Sequence, residues 1–385
     1  MASRAVICLD KFRGSLTARQ ACAALAAGIL AASPGSEVIE IPIADGGEGT
    51  IDALVQAGYQ RRMVRVRGPG GEPADAGYAV ATGRVVVELA QASGWSAITG
   101  TPAPLTASTF GTGEVIRAAL GHERPELVLA IGGSATTDGG AGMLAALGAR
   151  LLAAPEGRVT GADGGRRGLI GPGGAGLADL EWIDLGGLDQ RLARTSVIVA
   201  SDVTNPLLGP AGAAAIFGPQ KGASPAEVEV LERGLRRFAA VMTQVIGRDY
   251  SAAPGAGAAG GTGFAALAVL GATYRSGIEF VIGESRVADA ISGASLVITG
   301  EGRLDEQSLR GKAPAGVAEL ATAAGIPLVV VAGQVALPEE RLRALGAVGA
   351  YSLTEEAGSA AAAMAAAAEL LRGVGTRIAG SYLPR

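Results

Sequence analysis

The stretch that decides the fold is residues 127–140, Leu-Val-Leu-Ala-Ile-Gly-Gly-Ser-Ala-Thr-Thr-Asp-Gly-Gly. It opens with an apolar run that does not alternate with polar residues, which is typical of a strand covered on both faces. A loop rich in glycine and hydroxyl side chains follows, and a helical pattern begins at Met143. This order predicts a loop whose amides and helix dipole face a bound anion. A glycine-rich loop needed only for close packing is the alternative.

The same succession of short strand and longer helix recurs along the chain, so the predicted class is α/β with largely parallel sheets. The predicted strands are residues 4–9, 37–43, 84–89, 127–131, 196–200, 295–299 and 327–331. Helix ends are also signalled, by capping boxes at Thr17/Gln20 and Ser224/Glu227 and by a helix that runs from Pro314 to Gly325.

The composition excludes several classes of protein. A net charge of −4 over 385 residues argues against a polybasic nucleic-acid or membrane-surface protein. One histidine, His122, and two cysteines are too few for a zinc cluster or a disulfide framework. The longest alanine-rich apolar stretch, 360–371, is about half as long as a membrane-spanning helix. The N-terminal apolar run ends at Asp10 and Lys11, which does not fit a secretory signal. We therefore expect a soluble cytoplasmic protein without membrane or nucleic-acid partners.

Composition along the chain also suggests a discontinuous domain. Residues 61–77 are rich in Arg, Gly and Pro and predict a domain boundary, and the glycine-rich residues 161–176 predict a long loop. The C-terminal third returns to the strand–helix alternation of the first 60 residues. We expect one domain built from both ends of the chain and interrupted by a large insert.

Several predicted strands end in charged, glycine-rich turns, which is where open α/β sheets bind ligands. Residues 44–50 read Ala-Asp-Gly-Gly-Glu-Gly-Thr, and Asp45 and Glu48 there suit a cation or a substrate hydroxyl group. A tight turn with a helix-capping acid is the alternative. Residues 10–15 read Asp-Lys-Phe-Arg-Gly-Ser after the first strand, and their two cations suit a carboxylate or a phosphate.

Two further turns follow later strands. Asp202 suits a magnesium ligand or a base and Asn205 a small polar substrate, although an Asx turn before Pro206 would use the same residues. Lys221 precedes the capping box at Ser224, so its ammonium and that helix N-terminus could hold one phosphate.

Residues 299–305 read Thr-Gly-Glu-Gly-Arg-Leu-Asp and again place two carboxylates in a glycine-containing turn after a predicted strand. Lys312 lies next to a further predicted helix start. Arg303 offers a planar fork for a carboxylate or a phosphate, and a solvated, salt-bridged loop is the alternative. Residues 255–260 match G-x-G-x-x-G, but no strand is predicted before them, so dinucleotide binding is rejected. Gly260 and Gly261 remain a second candidate anion loop.

All three lysines of the chain, Lys11, Lys221 and Lys312, fall in these turns. Carboxylates, anion loops and lysines without a histidine base indicate magnesium-dependent phosphoryl transfer. A nucleotide-dependent oxidoreductase of a small hydroxy acid and a non-catalytic sugar-acid binding protein are the alternatives.

The segments at 10–15, 44–50, 131–140, 201–209 and 299–305 together resemble the bacterial glycerate kinases of type I, and they occur in the family's order. The resemblance implies ATP-dependent, magnesium-dependent phosphorylation of D-glycerate, with 2-phosphoglycerate favoured over 3-phosphoglycerate. It also implies a flavodoxin-like parallel-sheet domain, 1–65 with 286–385, interrupted at 66–285 by a second α/β domain with a restriction-enzyme-like core. Many members read Asp-Ser-Phe-Lys-Gly-Ser where this chain has Lys11 and Arg13, so which cation contacts the substrate is open.

Site roles are assigned on this basis, and a homodimer is left open. We expect the turns to meet in one cleft. The assigned residues are Asp45, Asp202 and Lys11 for catalysis; Asp10, Arg13, Ser15, Glu48, Asn205 and Arg303 for glycerate; Gly132, Gly133, Ser134, Thr136, Thr137, Lys221, Gly260, Gly261 and Lys312 for the phosphates of ATP; and Asp202, Glu301 and Asp305 for Mg²⁺.

Overall fold

A computed structural model describes residues 3–98, 100–122, 125–153, 168–309 and 313–383. The chain divides into two compact units. The first unit contains Met1–Asp45, Asp52–Tyr59 and Ser276–Arg385, and the second contains Gly46–Ile51 and Gln60–Arg275. None of the helices in the described parts of the chain is both long and apolar enough to cross a membrane.

The strands are β1 (Arg4–Leu9), β2 (Glu37–Glu40), β3 (Gln60–Arg67), β4 (Pro73–Ala81), β5 (Arg84–Glu88), β6 (Glu126–Ala130), β7 (Arg150–Ala153), β8 (Leu180–Asp184), β9 (Ser196–Ala200), β10 (Thr273–Arg275), β11 (Leu296–Gly300), β12 (Arg303–Leu304), β13 (Leu328–Ala332), β14 (Gln334–Val335) and β15 (Ala347–Ser352). The α-helices are α1 (Ala18–Ala32), α2 (Thr50–Gln56), α3 (Ala90–Ser93), α4 (Phe110–Ala119), α5 (Ala141–Ala146), α6 (Gly173–Gly176), α7 (Ala213–Phe217), α8 (Pro225–Ile246), α9 (Ala258–Val269), α10 (Gly277–Glu284), α11 (Val287–Ile291), α12 (Ala313–Ala324), α13 (Glu339–Ala344), α14 (Leu353–Ala357), α15 (Ala360–Ala365) and α16 (Ala367–Tyr382).

The first unit is built on a five-stranded sheet in the order β15-β13-β11-β1-β2, with every pair parallel. Its central strand β1 is covered on both faces. Ile7 belongs to a core with α1 and α16, and Val6 belongs to a second core with α11 and α12. Because both faces are buried, the strand is apolar from Ala5 to Leu9. The chain order reverses between β1 and β11, and this is the switch point at which open α/β sheets leave a crevice.

The second unit is built on a six-stranded mixed sheet in the order β10-β9-β6-β5-β4-β3. The strands from β10 to β5 pair in parallel, and β4 and β3 form an antiparallel hairpin at the edge. The longest helix, α8, begins at the Ser224/Glu227 capping box with Pro225 in the first turn. It buries Phe238, whose ring meets Phe264 edge to face at 5.6 Å, in the core of this unit.

The predicted α/β class with parallel sheets is confirmed, and so are both capping boxes. The strands at 4–9 and 196–200 have the predicted bounds, and those near 84, 127, 295 and 327 differ by one residue. The strand predicted at 37–43 ends earlier, at Glu40, although the amides of Ile41 and Ile43 still donate to β1 carbonyls.

Two other stretches differ from expectation. Residues 61–77, predicted as a boundary, form most of the β3–β4 hairpin. In the predicted loop at 161–176, Gly173–Gly176 is the short helix α6, and residues 161–167 lie outside the described residues. The assignment of domains at 1–65 with 286–385 and at 66–285 stays a prediction.

Candidate active site

A cleft of about 420 Å³ lies at the switch point of the first unit. The turns after β1, β11 and β13 form one part of its wall, and helices α15 and α16 form another. Its lining includes these residues predicted as functional: Asp10, Lys11, Arg13, Ser15, Asp45, Glu301, Arg303 and Asp305. The expectation that strand-end turns converge is therefore met within this unit.

Asp10, Lys11 and Asp45 form the charged centre of the cleft. The Asp10 Oδ1 atom accepts the backbone N–H of Lys11 at 2.6 Å and lies 3.5 Å from Lys11 Nζ. The same ammonium nitrogen is 3.8 Å from Asp45 Oδ1. Burial raises the pKa of Asp10 to about 6, with Lys11 opposing the shift and Asp45 adding to it. One ammonium group thus lies between a buried carboxyl group and a more open one.

The turn after β11 carries the other charged groups of the cleft. Arg303 Nε lies 3.4 Å from Asp305 Oδ2, and 63% of the Arg303 side chain is exposed, so this cation can turn toward a ligand. The amide of Gly302 donates to the carbonyl of Lys11 at 3.2 Å, which ties this turn to the turn after β1. At Gly300 a Cβ atom would lie 1.6 Å from the Val331 carbonyl oxygen, so only glycine fits where the strand ends.

The remaining predicted residues of the cleft differ in how open they are. Arg13 is exposed, whereas the hydroxyl of Ser15 donates to the Phe12 carbonyl at 2.9 Å and so supports the turn. The cleft also has an apolar wall that sequence reasoning missed. This wall consists of Leu353, Ala360, Ala363, Met364 and Ala367.

In the second unit, the glycine loop that follows β6 packs against the turn at 46–48. The amide of Gly132 donates to the Gly46 carbonyl at 3.0 Å, and a Cβ atom on Gly132 would lie 2.6 Å from Gly47 Cα. Predicted Glu48 belongs to this turn. Gly133 is exposed, whereas Ser134, Thr136 and Thr137 are buried.

Lys221 lies beneath this loop. Its Nζ donates to the Thr136 carbonyl at 2.5 Å and to Ser134 Oγ at 3.3 Å, and only 3% of the residue is exposed. Burial lowers the pKa of Lys221 to about 7, and the charge of Asp138 opposes that shift. The lysine therefore contacts the predicted phosphate loop from the inside.

Two buried carboxylates that sequence reasoning missed hold these loops. Asp138 accepts hydrogen bonds from the Thr109 amide and hydroxyl, both at 2.8 Å, and from the amides of Gly140 and Gly142 at 3.1 Å. It thereby joins the loop to the starts of α4 and α5. Glu88, at the end of β5, accepts the amide of Ile51 at 2.9 Å. In the sequence, Glu88 directly follows an apolar run, and Asp138 lies among the glycines and hydroxyl side chains of the predicted loop.

Three residues predicted for the site do not line the cleft of the first unit. Asn205 donates its side-chain amide to the Ala211 carbonyl at 2.8 Å, and Asp202 is half-buried after β9. Gly260 packs on the glycine loop, since a Cβ atom there would lie 2.0 Å from the Thr136 carbonyl oxygen. Lys312 lies outside the described residues.

The predicted magnesium ligands are divided between the units, because Glu301 and Asp305 belong to the first and Asp202 to the second. No group of three or more Asp, Glu, His or Cys side chains in the described chain could hold a metal ion. Magnesium bound with a nucleotide needs only one or two protein carboxylates, since phosphates and water complete its shell. Glu301 and Asp305, lining one cleft, fit that smaller requirement.

Known proteins are similar to this chain in sequence and in fold. A family model described as the glycerate kinase family matches residues 5–383. The glycerate kinase of Bacillus subtilis (strain 168) is 42% identical over 334 residues, which cover 86% of this chain and 85% of the relative. The glycerate 2-kinase of Escherichia coli (strain K12) is 42% identical over 333 residues, which cover 86% and 84%.

A solved structure gives the same result. The crystal structure of a proposed glycerate kinase 2 from Salmonella typhimurium LT2 superposes with a TM-score of 0.77 at 38% identity. The superposition covers 99% of this chain and 98% of that one. The resemblance found in the sequence motifs is confirmed, and the chain belongs to the glycerate kinase family.

Proposed function

We propose that this kinase transfers the γ-phosphate of ATP, with Mg²⁺, to the 2-hydroxyl group of D-glycerate. Family membership makes the chain a kinase that phosphorylates glycerate. The 2-position is supported by the name of the Escherichia coli relative, glycerate 2-kinase. The observation that carries the proposal is the cleft at the switch point, where cations and carboxylates surround a space suited to a small hydroxy acid.

The glycerate carboxylate binds Arg13 and Arg303, which offer guanidinium forks at the open side of the cleft. Lys11 holds charge near the reacting groups, and Asp45 accepts the hydroxyl proton as the oxygen attacks phosphorus. Asp202 is the second candidate for that base. Charge neutralisation and positioning dominate this reaction because its transition state is loose.

The phosphates of ATP bind the exposed turn at Gly133 in the second unit, where glycine lets the backbone come close to an anion. Glu301 and Asp305 would hold Mg²⁺. When bound, the ion neutralises phosphate charge as it develops during transfer. These assignments rest on the sequence motifs and on the chemistry of the side chains in each unit.

The finer fold and cellular assignments are proposals as well. The strand order β2-β1-β11-β13-β15 supports a flavodoxin-like first domain, because that fold has the order 2-1-3-4-5. We propose that the inserted domain has a restriction-enzyme-like core. We also propose that the protein acts in the cytoplasm.

Phosphorus NMR of the pure protein with ATP, Mg²⁺ and D-glycerate tests the activity directly. The expected product is 2-phosphoglycerate, and formation should stop with EDTA and resume with added Mg²⁺. An Asp45→Asn variant should lose about a hundredfold in kcat, since a general base contributes at least that much. A 3-phosphoglycerate signal would overturn the regiochemistry, and equal turnover of L-glycerate would overturn the stereochemistry.

A further inference from the structure

We infer that Lys221 is a positioning residue that shapes the phosphate loop from within and does not itself contact the phosphates. The inference rests on the proposed function, in which this loop holds ATP. The ammonium group lies under the turn made by Ser134 and Thr136, with N–H donors on the Thr136 carbonyl and the Ser134 hydroxyl.

The turn is a small polar network closed by this lysine. Ser134 Oγ accepts the amide of Thr136 at 3.1 Å, and its hydroxyl lies 3.1 Å from Thr136 Oγ1. Lys221 adds a donor to each side of the network. Since buried polar networks are stable only when their groups are satisfied, removing the lysine takes away the shorter of the two side-chain hydrogen bonds to the Thr136 carbonyl and leaves only that from Ser134 Oγ at 3.2 Å.

Exposure separates the lysine from the surface that meets an anion. Gly133 is exposed, whereas Lys221 is 3% exposed. A lysine that binds phosphate acts as an accessible point charge. Burial lowers the pKa of Lys221 to about 7, so near neutral pH the group is partly an uncharged amine. An amine still donates hydrogen bonds to a carbonyl, but it supplies no charge to a phosphate.

The neighbouring helix start also argues against a phosphate shared with Lys221. At the N-terminus of α8, the Glu227 carboxylate accepts the Ser224 amide at 2.8 Å and the Ser224 hydroxyl at 2.7 Å. An anionic group of the protein already occupies that end of the helix, and a phosphate beside it would meet like charge.

Amine-selective acetylation with peptide mass spectrometry tests the position of the lysine in the unaltered protein. The chain has three lysines, so each labelled peptide is assigned without ambiguity. We expect Lys221 to react far more slowly in the folded protein than in urea, with no change when ATP is added. Lys11, with 16% of its side chain exposed, should react faster. Rapid labelling of Lys221 that ATP prevents would overturn the inference.

Variants test the effect on nucleotide binding. Lys221→Met should raise the KM for ATP and the calorimetric Kd for ADP about tenfold, as expected for one lost buried hydrogen bond. The KM for D-glycerate should not change. Lys221→Gln keeps an N–H donor and should recover part of the loss. Arg236→Met removes an exposed cation from α8 and should change neither constant.

Each outcome of the variant experiment is decisive. An unchanged ADP affinity in Lys221→Met overturns the inference, and so does an equal rise in both KM values accompanied by a lower Tm. If the variants fail to fold, the labelling of the unaltered protein still decides where the amine lies. Absence of glycerate phosphorylation by the wild-type protein would instead overturn the proposed function, and ADP binding would still be measurable.

Discussion

At the scale of single residues, the buried carboxyl group of Asp10 in the cleft lowers the stability of the folded protein at neutral pH. Its pKa is about 6 in the folded protein, against an ordinary value of 3.8. Between these two pH values the folded state holds a proton that the unfolded state has released. The contribution of Asp10 to stability is therefore complete below about pH 4 and is lost as the pH rises through 6. At neutral pH the chain keeps a buried charge that opposes folding.

Asp10→Asn should remove that cost. We expect the variant to be more stable than the wild type at pH 7.5 by on the order of 2 kcal/mol, and by much less at pH 4. Thermal unfolding at both pH values measures the difference. Asp75→Asn, at an exposed position, is the matched control and should change Tm little at either pH. A stability difference that does not depend on pH would contradict the assignment.

In the cleft, Lys11 Nζ lies close to two carboxylates, at 3.5 Å from Asp10 Oδ1 and 3.8 Å from Asp45 Oδ1. Lys11→Met should lower kcat/KM for D-glycerate about tenfold to a hundredfold, because a charged hydrogen-bonding group contributes roughly 1.5–3 kcal/mol. The affinity for ADP should stay the same. Steady-state kinetics with each substrate varied in turn separates the two effects. A rise confined to the KM for ATP would move Lys11 to the nucleotide site.

At the scale of elements, the fit of α9 against the glycine loop depends on Gly260. This residue has φ +66°, and a Cβ atom would lie 2.0 Å from the Thr136 carbonyl oxygen. Gly247, at the end of α8, has φ +75° with no atom within 4 Å of the Cβ position. The two glycines share a backbone conformation and differ in available space, which makes them a matched pair.

Gly247→Ala should therefore destabilise the protein by about 1 kcal/mol, the cost of the left-handed conformation. Gly260→Ala adds overpacking and should cost about 2–4 kcal/mol. Only Gly260→Ala should also raise the Kd for ADP, since it displaces the Thr136 backbone. Urea unfolding and calorimetry measure both quantities. Equal losses of stability would show that the loop moves freely, contrary to its buried network.

Strands buried on both faces were predictable from the sequence, whereas the edge strands β3, β10 and β15 were not predicted and the edge strand β2 is shorter than predicted. The strand Arg4–Leu9 is apolar from Ala5 to Leu9 because two cores cover it. The strand Gln60–Arg67 carries several exposed arginines at the edge of its sheet, as edge strands that avoid aggregation do. Its charge and the glycines that follow it resemble a linker when read without the partner strand.

The candidate site was also predictable from the sequence only in part. Turns were found because glycines and acids directly follow apolar runs, and their own sequence carries that signal. Glu88 and Asp138 were missed because each has hydrogen-bond partners distant in the chain, Gly49 at 39 residues from Glu88 and Thr109 at 29 residues from Asp138. The apolar wall at Ala360 and Ala363 was missed because the sequence of an alanine-rich helix does not indicate which surface the helix will line.

At the scale of the whole molecule, both units place polar turns at the carboxyl ends of parallel strands. In the first unit these are the turns after β1 and β11, and in the second the turns after β6 and β9. The first unit carries the cations and carboxylates suited to a small acid. The second carries a buried polar network under an exposed glycine. The same arrangement of sheet and turn thus provides two chemically different candidate binding surfaces.

Hydrogen exchange with mass spectrometry should separate these two surfaces in the intact protein. D-Glycerate alone should slow amide exchange at 10–15 and 301–305, because a bound ligand stabilises the segments that close around it. ADP alone should slow exchange at 132–138. L-Glycerate is the matched control for the first effect and AMP for the second, since AMP lacks the β-phosphate. If D-glycerate protected 132–138 and ADP protected 10–15, the assignments would have to be exchanged, because each unit would then bind the other substrate.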